Sequence, residues 1–214
     1  MLTFGQLVRR NGQNWPAKPA YVEIDRRVTG GEFDRRTDRL GLALRDMGVG
    51  QGDRVAILAS DCIEVAEVFA AAAKIGAIRV GLNARFAERE IAALITDCTP
   101  KVVFVQQAHG KLFQAAETIM AQATGRPFGG SVIGFGPESD AYETLIDAHA
   151  GAGPLAQTPF DTVMIAYTTG STGLPKGAVY PHQKFLNSIL YTALLEGSDY
   201  DARWLHAMPA AGIP

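Results

Sequence analysis

Residues 53–83, DRVAILASDCIEVAEVFAAAAKIGAIRVGLN, decide the fold class of this 214-residue chain. The stretch opens with a short β-branched segment at 53–59, passes through an alanine-rich segment that ends at Gly76, and closes with a second apolar segment at 77–83. The outer segments are typical of buried strands, and the middle segment, with Asp61 and Glu64 at its start, predicts a helix that packs closely on a sheet. Two parallel strands need such a crossover, so the stretch predicts a strand–helix–strand unit.

The same alternation continues on both sides of this unit. A helix is predicted to begin at Thr29, which forms a capping-box signature with Glu32, and to stop at Gly48. Further helices are predicted at 87–98, 110–124, 138–150 and 183–197, and further strands at 101–106, 131–136, 161–169 and 177–182. The pattern predicts an α/β fold, a doubly wound parallel sheet with helices on both faces.

The glycine- and proline-rich segment GAGPLAQTP, residues 151–159, predicts a boundary within the chain. Residues 1–150 would form an N-terminal α/β subdomain. Residues 151–214 would form the start of a second, truncated α/β subdomain.

Composition excludes several classes of protein. The formal net charge of −2, without a local run of basic residues, does not favour nucleic acid or an anionic membrane as a partner. Cys62 and Cys98 are too few for a disulfide framework and lack the spacing of a zinc site, so both are predicted to be reduced structural residues. The sequence offers neither a signal peptide nor a membrane span, which makes the cytoplasm the expected location, and it predicts no oligomeric state.

The segment AYTTGSTGLPKG, residues 166–177, carries the chemistry of the second part of the chain. It follows a predicted strand, and ligands of α/β sheets gather where loops leave the carboxyl ends of strands. Its glycines let successive backbone N–H groups turn toward an anion, and its hydroxyls add donors that also suit a hard cation. Lys176 supplies a single positive charge at the far end. A phosphate-binding loop is therefore predicted here.

This loop differs from the P-loop of NTPases, in which the lysine opens a helix. Pro175 precedes Lys176 and Gly177 follows it, and both neighbours disfavour helix at the lysine. A mobile loop that closes over phosphates fits this arrangement better than a rigid one. A polar connecting turn is the alternative that glycine and hydroxyl content alone leaves open.

The segment YTTGSTGLPKGAVYPH, residues 167–182, resembles the signature loop of the adenylate-forming enzymes, the superfamily of acyl-CoA synthetases, luciferases and peptide-synthetase adenylation domains. Residues 39–98, which run from RLGLALRDMG to ITDC, resemble in order the helix, strand, alanine-rich helix and strand of that family. The resemblance covers nearly the whole chain from Thr29 onward. The amino-acid sequence of the loop is most similar to that of fatty and other acyl-CoA synthetases.

The resemblance implies a function and a set of site residues. The reaction joins a carboxylic acid to ATP, releases pyrophosphate, and passes the acyl group to a thiol, usually coenzyme A, with magnesium as cofactor. Lys176 would pair with the β- and γ-phosphates of ATP as the catalytic lysine, and Thr168 would also be a magnesium ligand. The residues that would wrap those phosphates are Thr168, Thr169, Gly170, Ser171, Thr172 and Gly173. The implied partners are small molecules, namely ATP, a carboxylic acid and coenzyme A.

The resemblance also implies that parts of the enzyme are missing. Relatives continue into a later block with an acidic magnesium ligand, a ribose-binding aspartate, a hinge, and a small C-terminal domain with its catalytic lysine. The chain is therefore expected to be an N-terminal fragment that does not complete adenylation. The alternative is a non-catalytic nucleotide-binding or interaction module with a truncated adenylating fold. A flavodoxin-like or dinucleotide-binding domain is less favoured, because no glycine triplet follows residues 53–59.

Other polar residues are predicted to be structural. His182 is expected to cap the last helix, and Asp53 to order a turn through local backbone hydrogen bonds. Four glutamates are expected to be helix-surface charges or partners of helix dipoles: Glu64, Glu67, Glu88 and Glu90.

Overall fold

The structure is a computed structural model that describes residues 2–158, 160–168, 175–199 and 201–205. The α-helices in these ranges are α1 Phe4–Asn14, α2 Gly30–Asp46, α3 Ile63–Ile75, α4 Glu88–Cys98, α5 Gly110–Thr124, α6 Ala141–Asp147 and α7 His182–Leu195. The strands are β1 Pro19–Val22, β2 Arg27–Thr29, β3 Arg54–Ala59, β4 Ile78–Asn83, β5 Val102–Gln106, β6 Ser131–Phe135, β7 Thr162–Thr168 and β8 Lys176–Pro181.

Six of the described strands form one sheet in the order β6-β5-β3-β4-β7-β8. The first five are parallel, which confirms the predicted fold class, whereas β8 runs antiparallel to β7. Only residues 169–175 separate β7 from β8, and a parallel return would need a crossover of a dozen residues or more. Strands from both sides of residue 150 thus share one sheet, while the division into two subdomains stays a prediction.

Successive residues of the central strands pack into two separate apolar layers, one on each face of the sheet. On β3, Val55 and Ile57 pack with α2, α3 and α6, whereas Ala56 and Leu58 pack with α4 and α5. All four side chains are at most 2% exposed. Helices therefore cover both faces of the sheet, as the sequence predicts.

The predicted capping box at the start of α2 is confirmed. Glu32 N–H donates to Thr29 Oγ1, and the Glu32 carboxylate accepts from the Thr29 N–H at 2.9 Å. The helix ends at Asp46, two residues before Gly48, whose φ of 80° lies in the left-handed region. Thr29 and Gly48 therefore mark the two ends of α2, as predicted.

The helix α3 begins at Ile63, as the predicted segment IEVAEVFAAAAKIG does, but Asp61 does not cap it. Cys62, not Asp61, is the N-cap residue, and its side chain makes no capping bond. Instead, Glu23 Oε1, in the turn between β1 and β2, accepts a 2.6 Å hydrogen bond from the Ile63 N–H. The helix ends at Gly76 as predicted; φ there is 76°, and a Cβ would lie 2.4 Å from the Thr158 carbonyl oxygen.

The N-terminal helix α1 and the β1–β2 hairpin have no counterpart in the sequence prediction. A capping-box signature at Thr3 and Gln6 marks the start of α1, and both of its hydrogen bonds form. All four residues of β1 are exposed, so this strand shows no alternation of buried and exposed positions. Short exposed strands of this kind give no periodic signal.

A buried charge network joins α1, α2, α3 and the segment that leads to β7. Lys74 is fully buried, and its ammonium donates to Asp34 Oδ1 at 2.6 Å, Asp38 Oδ1 at 2.7 Å and Thr37 Oγ1 at 2.8 Å. Asp38 also accepts two 2.7 Å hydrogen bonds from Arg9. The network therefore holds these three helices together and ties them to Leu155, in the segment that leads to β7.

In the part of the chain that the structure describes, no helix is long and apolar enough to cross a membrane.

Candidate functional site

The two strands that carry the predicted phosphate loop meet at its root. Thr168, the last residue of β7, pairs across the ladder with Lys176, the first residue of β8. The Thr168 hydroxyl lies 3.5 Å from the Lys176 carbonyl oxygen, and both residues are exposed. Antiparallel pairing thus brings together two predicted site residues that are eight positions apart.

Five of the predicted site residues, Thr169, Gly170, Ser171, Thr172 and Gly173, lie outside the described residues. Lys176 begins a strand, which confirms the prediction that it does not open a helix. Among the described residues, no carboxylate lies within ion-pair distance of the Lys176 ammonium. Its charge is therefore not neutralised by the surrounding described residues.

The root of the loop lies at the carboxyl edge of the parallel sheet. Val80 of β4 pairs with Ile165 of the parallel strand β7, and these two strands end at Asn83 and Thr168 respectively. This edge is where α/β proteins bind ligands. A hydroxyl, an uncompensated ammonium and an intervening glycine-rich segment suit the oxygens of a polyphosphate and, through the hydroxyl, a hard cation.

Tyr167, at the base of the loop, is a residue that the sequence analysis did not single out. Its hydroxyl donates a hydrogen bond to Asp97 Oδ2 in the last turn of α4. Burial, followed by the bond to Asp97, raises the pKa of Tyr167, so the phenol keeps its proton. The only sequence signal is the tyrosine's place directly before the hydroxyl-rich loop.

His182 does not cap α7, which corrects the sequence prediction. Pro181 is the N-cap residue, and His182 turns inward, where it is 2% exposed and its Nδ1 accepts from the Phe4 N–H at 3.1 Å. The imidazole therefore caps α1 rather than its own helix. Burial lowers the pKa of His182, which favours the neutral ring that this bond requires.

The burial of His182 predicts a loss of stability in mild acid. Because the pKa is lowered in the folded state, the unfolded chain binds the proton first as the pH falls below about 6.5. The contribution of this group is complete above that pH and declines as the pH falls toward the folded-state pKa, with a slope of at most about 1.4 kcal/mol per unit. We expect urea unfolding between pH 8 and pH 5 to show a smaller decline for His182→Asn than for the wild type. Parallel declines would contradict the assignment.

The prediction for Glu67 is wrong, whereas Glu64, Glu88 and Glu90 lie in the first turns of α3 and α4 as predicted. Glu67 is 1% exposed, because α2 and α6 pack over its face of α3. It accepts from Arg36 Nε at 2.5 Å and from the Tyr142 hydroxyl at 2.9 Å, and burial raises its pKa. These contacts lie under a groove of about 530 Å³ whose lining includes Arg26, Arg27, Arg35, Arg36, Arg39, Glu32 and Glu143.

The remaining polar candidates are structural, as predicted. Asp53 orders its turn by accepting a 2.8 Å hydrogen bond from the Gly50 N–H. Cys62 and Cys98 are free thiols, and burial raises the pKa of each to about 12, which leaves them protonated and unreactive. Within the described ranges, no group of three or more histidine, cysteine or acidic side chains is arranged to hold a metal ion.

Comparison with known proteins gives consistent results. The family described as AMP-binding enzyme matches residues 8–213. The long-chain-fatty-acid–CoA ligase FadD13 of Mycobacterium tuberculosis is 34% identical over 185 residues, which are 86% of this chain and 36% of the ligase. The 3-hydroxybenzoate–CoA/4-hydroxybenzoate–CoA ligase of Thauera aromatica is 31% identical over 173 residues, 78% of this chain and 32% of that enzyme. The chain thus spans about a third of the length of these curated relatives.

The crystal structure of the N-terminal domain of FACL13 from Mycobacterium tuberculosis has the same fold. It superposes with a TM-score of 0.80 at 29% identity, over 99% of this chain and 52% of that structure. The mixed α/β fold, with its six-stranded, mostly parallel sheet flanked by helices, therefore matches the N-terminal domains of adenylate-forming enzymes. With a family match that spans nearly all of its residues, this chain belongs to the AMP-binding enzymes.

Proposed function

We propose that the chain is the ATP-binding N-terminal portion of an acyl-CoA synthetase that forms AMP. The observation that carries the proposal is the Thr168–Lys176 pair at the carboxyl edge of the sheet, on either side of a glycine- and hydroxyl-rich segment. Membership in the AMP-binding family and the names of the curated relatives support this reaction class. The name of FadD13 supports fatty acid metabolism as the setting, and the two reduced cysteines support the cytoplasm.

In the proposed reaction the protein aligns the carboxylate with the α-phosphorus of ATP and neutralises the negative charge of the phosphates. A carboxylate oxygen forms a bond to the α-phosphorus of ATP while the bond from that phosphorus to pyrophosphate breaks. The Lys176 ammonium offsets negative charge on the β- and γ-phosphates, and the Thr168 hydroxyl donates to a phosphate oxygen. Backbone N–H groups of Thr169 to Gly173 complete the cradle. The thiol of coenzyme A then takes the acyl group and AMP leaves.

A magnesium ion fits the residues present as a partner of the triphosphate. Thr168 would supply one hydroxyl ligand, and the described residues hold no cluster of acidic side chains that could bind the ion alone. The ion would offset phosphate charge when bound. The protein itself would contribute the positive charge of the Lys176 ammonium, at the root of the loop, to the neutralisation of the phosphates.

Two measurements test the proposal. The 214-residue chain is expected to bind Mg·ATP in a calorimetric titration, yet to catalyse no exchange of pyrophosphate into ATP with any carboxylic acid. The polypeptide encoded by the whole reading frame is expected to catalyse that exchange with at least one acid from a panel of aliphatic and aromatic acids. Binding without exchange in the whole polypeptide would favour a nucleotide-binding module instead. The absence of both would refute the proposal.

A further inference from the structure

Tyr167 and Asp97 connect the root of the loop to a helix on the opposite face of the sheet from α3. Tyr167 precedes Thr168 directly, and its ring packs against the apolar layer formed with α4 and α5. Its hydroxyl bonds to Asp97, 70 positions earlier in the chain. The Tyr167 hydroxyl also takes part in a side-chain hydrogen bond with Cys98, the last residue of the same helix.

The place of Asp97 in α4 is unfavourable for the helix alone. Asp97 lies in the last turn, where the helix dipole favours cations, and that turn contains no basic residue. A carboxylate at such a position typically costs about 0.3–1 kcal/mol. The hydrogen bond from the Tyr167 hydroxyl offsets this cost. In return, the Asp97 carboxylate anchors Tyr167, a residue of β7, to α4.

The Tyr167 ring also lies against the second strand of the loop root. A Cβ built on Gly177 would lie 3.2 Å from Cε1 of Tyr167 and 2.9 Å from Cγ2 of Ile165. Tyr167 and Gly177 are cross-strand partners, one step inside the Thr168–Lys176 pair. The ring thus contacts the backbone directly after Lys176, and no residue larger than glycine fits beneath it without a shift.

We propose that Tyr167 and Asp97 are positioning residues that hold Thr168 and Lys176 at the spacing needed to bind the phosphates of ATP. The inference rests on the proposed function for its catalytic meaning, because ATP binding at this loop is part of that proposal. The structural part of the inference does not depend on any ligand. The hydrogen bond between Tyr167 and Asp97 restrains separation of β7 from β8 at the Tyr167–Gly177 and Thr168–Lys176 pairs.

The first experiment measures this restraint without nucleotide. Tyr167→Phe keeps the ring on Gly177 and removes only the hydroxyl, and the matched control is Tyr142→Phe, which removes the hydrogen bond to the Glu67 carboxylate far from the loop. Hydrogen exchange followed by mass spectrometry in the 214-residue chain is expected to be about tenfold faster in peptides that cover 165–168 and 176–179 of Tyr167→Phe. The same peptides of Tyr142→Phe should match the wild type. Unchanged exchange in Tyr167→Phe would overturn the inference, whether or not the chain binds ATP.

The second experiment separates positioning from general stability. Tyr167→Phe and Asp97→Ala are each expected to raise the Kd for Mg·ATP about three- to tenfold with little change in melting temperature. The double variant should weaken binding less than the sum of the two single variants, because both remove the bond between Tyr167 and Asp97. Asp97→Asn retains an acceptor oxygen and should restore most of the affinity lost in Asp97→Ala. Tyr142→Phe should lower the melting temperature and leave the Kd unchanged.

The outcomes distinguish the inference from the function on which it rests. Faster exchange at the loop root, in a chain that binds no Mg·ATP even as wild type, would support the restraint and refute ATP binding. Normal ATP affinity in both Tyr167→Phe and Asp97→Ala would refute the positioning role and leave the proposed function intact.

Discussion

Replacement of Lys74 by methionine is expected to lower the free energy of unfolding by about 3–5 kcal/mol, the range for breaking a buried ion pair from one side. The substitution keeps much of the side-chain volume but removes the ammonium from a fully buried position. Asp34 and Asp38 would then lose a cation at 2.6 and 2.7 Å, respectively. Asp38 keeps its bonds from Arg9 and from the Leu155 N–H, whereas Asp34 keeps only the more distant Arg9, 4.0 Å away. Urea unfolding of the 214-residue chain measures the loss.

The matched control for this prediction is Lys101→Met. Lys101 makes a 2.8 Å ion pair with Asp53, but its side chain is 50% exposed. Exposed pairs contribute about 0–1 kcal/mol, so this variant should unfold near the wild-type midpoint. The double variant Lys74→Met/Asp34→Asn should lose less than the sum of its single variants, because both act on one contact. A loss below about 1 kcal/mol for Lys74→Met would show that the network does not hold the helices together.

Lys176→Met is expected to weaken binding of Mg·ATP about tenfold to a hundredfold and to leave stability unchanged. A hydrogen bond from a charged group typically contributes about 1.5–3 kcal/mol, which corresponds to that range of Kd. Lys176 is exposed and forms no ion pair with a described residue, so folding loses nothing comparable. Calorimetric titration with Mg·ATP, together with a thermal melt, separates the two effects. In the whole polypeptide, the rate of pyrophosphate exchange should fall as well.

Lys184→Met provides the control for charge alone. Lys184 is an exposed residue of α7, so the variant changes the net charge by the same amount at a site away from the loop root. We expect its affinity for Mg·ATP to match the wild type within about twofold at physiological salt, because screening weakens distant charges. Equal losses in Lys176→Met and Lys184→Met would assign the effect to general electrostatics and would remove the specific role of Lys176.

The central part of the fold can be predicted because its signals are local and periodic. Residues 53–83 form β3, α3 and β4 almost as predicted, since buried parallel strands and an alanine-rich crossover differ sharply in composition. The helix α1 escaped prediction although Thr3 and Gln6 carry a start signal, because its long-range contacts come from α2, α3 and His182. Such contacts leave no periodic trace in a single segment.

In the site, too, features with a local sequence signal were predicted, whereas features that depend on long-range contacts were not. Lys176 and Thr168 were predicted from the residue types in one loop, and the structure adds that they are cross-strand neighbours. The partner of Tyr167 is 70 positions away, and that of Glu67 in α2 is 31 positions away, so neither was visible in the sequence. A glutamate on a predicted helix is usually solvated, and only the packing of α2 and α6 over α3 places Glu67 inside.

The bond between the Phe4 N–H and His182 Nδ1 spans 178 positions of the chain and joins α1 to α7, the first and last of the described helices. A ribosome makes α1 well before β8, and the acceptor for that amide emerges only after β8 has been translated. Vectorial synthesis therefore leaves α1 without this contact until the chain has been made as far as residue 182. Docking of His182 against Phe4 is the event that completes the capping of α1.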